Sequence, residues 1–494
     1  MKKECIFLIL AAMLVFAGCN ERVEDLTKKN REGDGTESTN NYNVKEDDQP
    51  YSVQNAEGFY IVNEDWFGHS NGSLNYFSKN GDSYEQHYRV FRKENPEIEL
   101  GITTCFGAIW GNYIYLISKQ GNRLVIADAE TLKLKHLETD LGGDGRSFVG
   151  IDEKKVYIGY NGGIRPFDID NMTLGNSING ISGQIGNMCM SSGKVFAVSQ
   201  SNLYVIDAMT DELLQNIPGS YNSLVVSKDG SVWVATSDKF VIYNPENMES
   251  TNLDYPNEAK VAGTWGAWNP GSLCSSTQNN VLYWTIGGGM FGGANTICRY
   301  DIDSNTANTS FYQIPEDEDG YERAFYGAGL RVDPLSDNLV LQCYRKGFGE
   351  SYSYNWLFIL DNKGEITTSF AVADDSKSLI GNGYYWFPTM PVFKDANKPQ
   401  ILLNQIIVPA NSKTEIDLTE KIIDYDNTFS SIIKRVYMSD NNKLQASLSI
   451  IGNNLSIEAG NTDGSGNFTL SVVSNGVLVE KEIELIITKT TDNE

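Results

Sequence analysis

The chain has 494 residues, too many for one compact core, so more than one folded unit is expected. With 64 acidic residues against 39 basic ones, the net charge is −25 and no basic cluster offsets it, which excludes nucleic acid as a partner. The three histidines (His69, His87 and His136) are scattered, and no Gly-x-Ser-x-Gly, His-Glu-x-x-His or Walker pattern occurs, so the common hydrolase, zinc-peptidase and nucleotide-binding machineries are excluded too.

Residues 1–18 read as a lipoprotein signal peptide. Lys2 and Lys3 give a charged start, and an apolar stretch from Ile6 to Phe16 leads to Ala17-Gly18-Cys19. That stretch is too short to serve as a lasting bilayer anchor. Ala-Gly-Cys resembles the bacterial lipobox, with Phe16 standing where leucine is usual, so Cys19 is the expected lipidation site. Residues 19–54 are acidic and polar with almost no apolar side chains; they cannot bury enough surface to fold and read as a disordered tether. Glu21, Glu24 and Asp25, just behind Cys19, resemble the export signals of surface lipoproteins in some Gram-negative bacteria, with a solvated linker as the plain alternative. The expected location is the outer membrane, lipid-anchored and facing the cell exterior.

Residues 55–396 carry a repeat. Copies close at Asp128, Asp168, Asp207 and Asn244, in steps of 40, 39 and 37 residues, and two longer copies close at Asp301 and Asp361. Each closure follows two short alternating runs, such as Tyr113-Ile114-Tyr115-Leu116 and Leu124-Val125-Ile126. Several short strands in a period near forty are the pattern of a β-propeller. One such unit cannot bury both faces, so neighbours must pack into a ring. Six copies start near Cys105, Ser147, Met188, Asn222, Ser272 and Gly327. A seventh is assembled from the two ends of the repeat region: runs 58–63, 73–77 and 83–87, with Asn71-Gly72 as a turn, plus an innermost strand at 385–387 ending in Pro388. The expected fold class is all-β, a seven-bladed β-propeller followed by an immunoglobulin-like β-sandwich over 397–494.

That tail shows short apolar runs at 401–403, 406–408, 446–450, 455–457, 468–472 and 483–487, spaced by Asn-, Asp- and Gly-rich turns. Asp424-Tyr425-Asp426-Asn427 reads as an Asx-rich turn before it reads as a calcium loop. The tail is taken as a spacer or interaction module. Beyond Cys5 and Cys19, the cysteines Cys105, Cys189, Cys274, Cys298 and Cys343 fall in different strands with no zinc spacing, and are expected as buried thiols. A disulfide remains open in an oxidising compartment.

In a propeller blade, the loop between the second and third strands shares a face with the loop into the next blade. Four aromatic and glycine-rich segments, 65–69, 263–268, 287–293 and 344–348, fall on that face. Long loops on a rigid ring are where recognition sits, and aromatics with polar tips suit a broad ligand. The candidate ligand-binding residues are therefore Asn63, Trp66, Phe67, Trp265, Trp268, Phe291, Tyr344, Arg345, Phe348 and Tyr385. Packing between blades is the rival role for Trp66, Trp265 and Trp268, and the assigned role of Trp284 and Trp356. Residues 316–319, Glu-Asp-Glu-Asp, read as a solvated loop. Asp301-Ile302-Asp303-Ser304-Asn305 lacks the glycine and glutamate of an EF-hand and reads as a turn. No catalytic residue and no metal site is assigned.

Residues 63–77, from Asn63-Glu64-Asp65-Trp66-Phe67-Gly68-His69 to Asn75-Tyr76-Phe77, together with 117–128, resemble the YncE-like lipoprotein propellers of Gram-negative gut anaerobes. Within that group the chain is most similar to the BtuG-type surface lipoproteins, over about residues 55–395. The resemblance implies a seven-bladed propeller that captures cobalamin or a related corrinoid and passes it to a TonB-dependent transporter of BtuB type. It implies cobalamin as transported ligand rather than cofactor, and no enzymatic activity. A glycan-binding or adhesive propeller stays open, as does a propeller enzyme (a lyase or hydrolase) using Glu64 or Asp65 with His69.

Overall fold

The computed structural model of the chain describes residues 42–47, 57–81, 83–262, 271–286, 294–372, 384–438 and 444–489. The expected signal peptide, Cys19 and most of the tether lie outside the described residues. Residues 44–494 form one unit. Its regular structure is almost wholly strand; one short helix, Val90–Glu94, interrupts it among the described residues, with three 3-10 turns.

Seven four-stranded antiparallel sheets are present among the described residues. Their first strands, in chain order, are Ile102–Trp110, Gly145–Gly150, Ile185–Ser191, Tyr221–Val226, Cys274–Ser275, Arg323–Val332 and Pro388–Phe393. Each of these touches the first strand of the next sheet, and Pro388–Phe393 touches both Arg323–Val332 and Ile102–Trp110, which closes a circle. This is a β-propeller. The close approach of neighbouring first strands needs small residues: a Cβ on Gly107 would lie 2.6 Å from the Val62 methyl and 2.8 Å from that of Val392. Large side chains fill the gaps between sheets. Phe59 and Phe77 of the closing sheet, with Trp386 just before its inner strand, pack on Val340, Leu357 and Ile359 of the neighbouring sheet, each full burial stabilising by ~1.5–3 kcal/mol.

The aspartate period has a mechanical origin. Each closing residue ends or follows the third strand of its sheet, and its side chain caps the turn into the fourth. Asp128 Oδ1 accepts the Thr131 N–H at 2.9 Å, Asp207 Oδ1 accepts those of Met209 and Thr210 at 2.9 Å each, Asn244 Oδ1 accepts that of Glu246 at 2.8 Å, and Asp301 Oδ1 accepts that of Ser304 at 3.0 Å. The Thr131 backbone N–H holds the Asp128 carboxyl below the usual carboxylate range. Four residues on, the chain turns through the left-handed region at Leu132, Met172, Asp211, Met248 and Asn305. The Asp301 segment is one of these turns, as the sequence suggested.

The closing sheet runs in the order Pro388–Phe393, Gly58–Asn63, Ser73–Asn80, Ser83–His87, with Phe59 opposite Phe393 and Val62 opposite Met390. Its inner strand begins at Pro388 rather than at 385, because Phe387 turns at φ 42 and breaks the extended run. Ring closure thus joins the two ends of the repeat region.

The tail contains a larger sheet that includes Leu403–Pro409, Val477–Thr488, Gly464–Ser474 and Ile433–Met438, and a three-stranded sheet of Lys413–Asp417, Asn454–Ala459 and Ala446–Ile451. Buried side chains such as Leu403, Ile406, Phe468 and Leu485 line the one, and Ile416, Leu455 and Ile457 the other. It packs on the hairpins that join first to second strands. The Gly111 N–H donates to Asn475 O at 2.6 Å, the Ser192 N–H to Ser430 O at 2.7 Å, and Arg435 pairs with Glu153 at 2.9 Å and Asp152 at 3.2 Å. Residues 44–47 follow the edge of the larger sheet. The Asp47 N–H donates to Leu402 O at 2.9 Å, and its carboxylate pairs with Lys481 at 2.8 Å. Residues 44–47 of the expected tether are thus held along that edge, since an unpaired edge offers backbone partners that polar side chains do not prevent, and residues 48–54 lie outside the described residues. The five cysteines are free thiols, four buried and Cys189 half-buried.

Candidate ligand-binding face

Antiparallel strands alternate direction, so the hairpins under the tail and the loops between second and third strands lie at opposite ends of the ring. At the end away from the tail, three segments converge. They are the loop 64–72, the loop 346–354 and the connector 384–387 that enters the closing strand. Phe387 sits at their centre, its ring 5.1 Å from that of Phe67, 5.0 Å from Tyr352, 4.9 Å from Tyr326 and 6.4 Å from Tyr344. Tyr385 stands 5.8 Å from Tyr352 and meets Trp66 edge-on at 5.5 Å, while Phe348 meets Tyr352 at 6.3 Å. Trp66 is 45 % exposed and Phe348 72 % exposed, so the cluster is buried at its base and open at its crown.

The loop geometry is held from below. Asp65 takes φ 53, a conformation Asp tolerates better than most residues, and Phe387 takes φ 42, which a bulky residue adopts only when its surroundings impose it. Two backbone bonds supply that constraint: the Glu64 N–H donates to Phe387 O at 3.0 Å and the Asp65 N–H to Trp386 O at 2.9 Å.

Beneath the aromatic layer lie two buried carboxyl groups. The Tyr326 hydroxyl donates to Glu64 Oε2 at 2.7 Å, and the Thr389 hydroxyl to Oε1 at 3.4 Å. The Tyr384 hydroxyl donates to Asp65 Oδ2 at 2.7 Å, and that of Ser73 to Oδ1 at 2.8 Å. Burial pushes Glu64 up to about 8 and Asp65 up to about 7, against the pull of those hydroxyls. The Arg89 guanidinium lies 4.6 Å over both Tyr384 and Trp386. His69 stacks on Trp66 with ring centroids 4.1 Å apart, and each carboxyl oxygen of Glu64 and Asp65 already accepts from a hydroxyl. The arrangement is a stiff aromatic platform on a buried polar base.

Of the sequence-derived candidates, Trp66, Phe67, Tyr344, Phe348 and Tyr385 come together here. Trp265, Trp268 and Phe291 lie outside the described residues. Asn63 is buried, its Nδ2 donating to Ser73 Oγ at 3.2 Å, so it belongs to the base. Arg345 is 8 % exposed and already engaged: its Nε donates to Asp317 at 2.5 Å, its Nη2 to Asp319 at 2.7 Å, and its guanidinium stacks 3.6 Å from the Tyr354 ring centroid. The acidic run 316–319 is thus only partly a solvated loop, because Asp317 is buried against that arginine. Trp284 is fully buried, as assigned to packing. Phe387 and Tyr326 were missed. Each lies in or next to an alternating strand, where an aromatic reads as core.

A family model described as a domain of unknown function, DUF5074, matches residues 57–394, which is the ring from its first closing strand to its last. The chain belongs to this family. All three converging segments of the aromatic cluster fall within the DUF5074 span, and the tail falls outside it. No curated protein matches the chain. Among solved structures, a quinonprotein alcohol dehydrogenase-like protein from Bacteroides thetaiotaomicron is similar at 14 % identity and a TM-score of 0.49, over 68 % of this chain and 78 % of its own. The WD40 repeats of RRP9 follow at 10 % identity and a TM-score of 0.42, over 62 % of this chain and 90 % of theirs.

Proposed function

We propose that this chain is a lipid-anchored surface binding protein that captures cobalamin or a related corrinoid on its aromatic face and delivers it to a TonB-dependent transporter of BtuB type. We read the seven sheets as seven blades and the tail as an immunoglobulin-like sandwich, the latter supported by the parallel pairing of Leu403–Pro409 with Val477–Thr488. The observation that carries the functional reading is the exposure of Trp66 and Phe348 on a cluster whose base is locked by backbone and carboxylate hydrogen bonds. Exposed aromatics held rigidly together suit a wide ligand with an apolar plane and polar edges, which describes a corrin ring with its amide arms. The buried tyrosine–carboxylate pairs stiffen the platform and keep its ordering cost out of the binding step.

Equilibrium dialysis of the folded protein against cyanocobalamin, with a set of soluble glycans in parallel, tests the reading. Retention of cyanocobalamin at micromolar ligand supports it. Retention of a glycan without cyanocobalamin replaces it with the adhesive reading, and conversion of any offered compound replaces it with an enzyme.

A further inference from the structure

We infer that the cleft between the propeller and the tail is a second binding site, for an amphipathic carboxylate whose anionic head meets Lys434 and Lys194 and whose apolar body lies on Met209, Ile433 and Ile451. The cleft encloses about 940 Å³, in the range of small-molecule sites, and is lined mostly by apolar atoms. It lies at the end of the ring opposite the aromatic cluster, so it is independent of the corrinoid reading. Met209 is 63 % exposed and Ile451 is 55 % exposed, one on each wall, in a region where docked surfaces would otherwise bury such side chains.

The charge pattern gives the ligand its sign. In a chain with 25 more acidic than basic residues, two lysines line this one cleft. Lys434 Nζ donates to Phe429 O at 3.2 Å and sits 3.9 Å from the Phe429 ring centroid. Lys194 Nζ donates to Pro245 O at 2.7 Å and to Glu246 O at 3.5 Å. Among the described residues, neither ammonium has a carboxylate within ion-pairing distance, so Lys434 keeps two donors to spare and Lys194 one. The other charges of the cleft are committed elsewhere or stand further off. Arg435 is taken by Asp152 and Glu153, and the Asp417 carboxylate accepts the Thr419 N–H at 2.9 Å and its hydroxyl at 2.6 Å. Glu246 faces Lys434 beyond ion-pair distance. Burial lowers Lys434 to about 8 despite that carboxylate, as expected of an ammonium short of counter-charge. A bound carboxylate would supply the missing partner and shield the apolar walls together.

Calorimetric titration of the full chain carrying Cys19→Ser, which has no acyl group of its own, with laurate is the test. One laurate per chain is expected, weakened at least tenfold by Lys434→Met and restored by Lys434→Arg, with Lys194→Met weakening it as well. Dodecyltrimethylammonium, of equal length and opposite charge, should not bind. Laurate should also protect Lys434 from acetylation in a mass-spectrometric footprint, a readout that needs no variant to fold. Absence of laurate binding, equal binding of the cationic amphiphile, or binding indifferent to Lys434→Met would each overturn the site. Trp66→Ala should leave laurate binding unchanged, so failure of the aromatic-face reading and failure of this one are separately visible.

Discussion

Asp207 shows how one side chain writes the repeat: its carboxylate receives two backbone N–H groups that the turn would otherwise leave to solvent. Asp207→Ala should cost ~1 kcal/mol of stability, read as a lower denaturation midpoint with an unchanged slope. This is the scale at which the sequence was most legible, because an Asx residue caps its turn through neighbours two to four positions away. Arg345 was not legible in the same way. Its partners Asp317 and Asp319 come from the preceding connector, and nothing in a linear reading pairs them with it. Glu64 carries a pH prediction. Its folded value is raised from 4.5 to about 8, so its contribution to stability is fully present below pH 4.5 and is lost as pH rises toward 8. Glu64→Gln keeps a neutral group under Tyr326 and should flatten that slope. Thermal melts should match wild type near pH 4 and favour the variant by ~1–3 kcal/mol at pH 8.5. Equal slopes would mean the group is ionised in the fold.

At the level of elements, the closing sheet was legible because its strands alternate strongly; Asn71-Gly72 is not its turn, since the loop 64–72 joins Gly58–Asn63 to Ser73–Asn80 and turns at 66–70, while Asn71 and Gly72 lie against Ile102 and Gly101. The exact start of its inner strand was not legible, since Phe387 has the composition of a strand and the backbone of a turn. The short strands Lys413–Asp417 and Ile433–Met438 of the tail were also missed, because charged or half-buried residues dilute their alternation. Deleting 385–494 removes Pro388–Phe393, the strand paired with Gly58–Asn63 on its inner side. The ring should then open and its β signal melt at low denaturant, whereas deleting 400–494 should leave a cooperative fold. Equal stability of the two truncations would contradict ring closure by the shared sheet.

Across the whole molecule, the tail and residues 44–47 gather at one end of the ring and the aromatic cluster at the other. Cys19→Ser should move the protein from the membrane to the soluble fraction. The junction should also respond to pH. Asp426 accepts the Ala396 and Asn397 N–H groups at 3.2 and 3.3 Å, and burial raises Asp395, Asp424 and Asp426 to about 6, 8 and 7. Stability from these carboxyls is present below about pH 4 and declines as pH rises through 6 to 8. Hydrogen exchange at 395–397 and 424–427 should accelerate over that window, while the Arg435 pair with Glu153 stays protected. The long-range architecture followed from a forty-residue period; the docking of the tail did not, because it rests on turn backbones rather than on a hydrophobic pattern. The central claim is most directly tested by calorimetric titration of cyanocobalamin into the full mature chain and into its Trp66→Ala and Phe348→Ala variants. The account predicts one site of micromolar affinity or tighter, weakened about thirtyfold by loss of either aromatic. No heat of binding from the folded wild type, or an affinity that neither substitution changes, would contradict it.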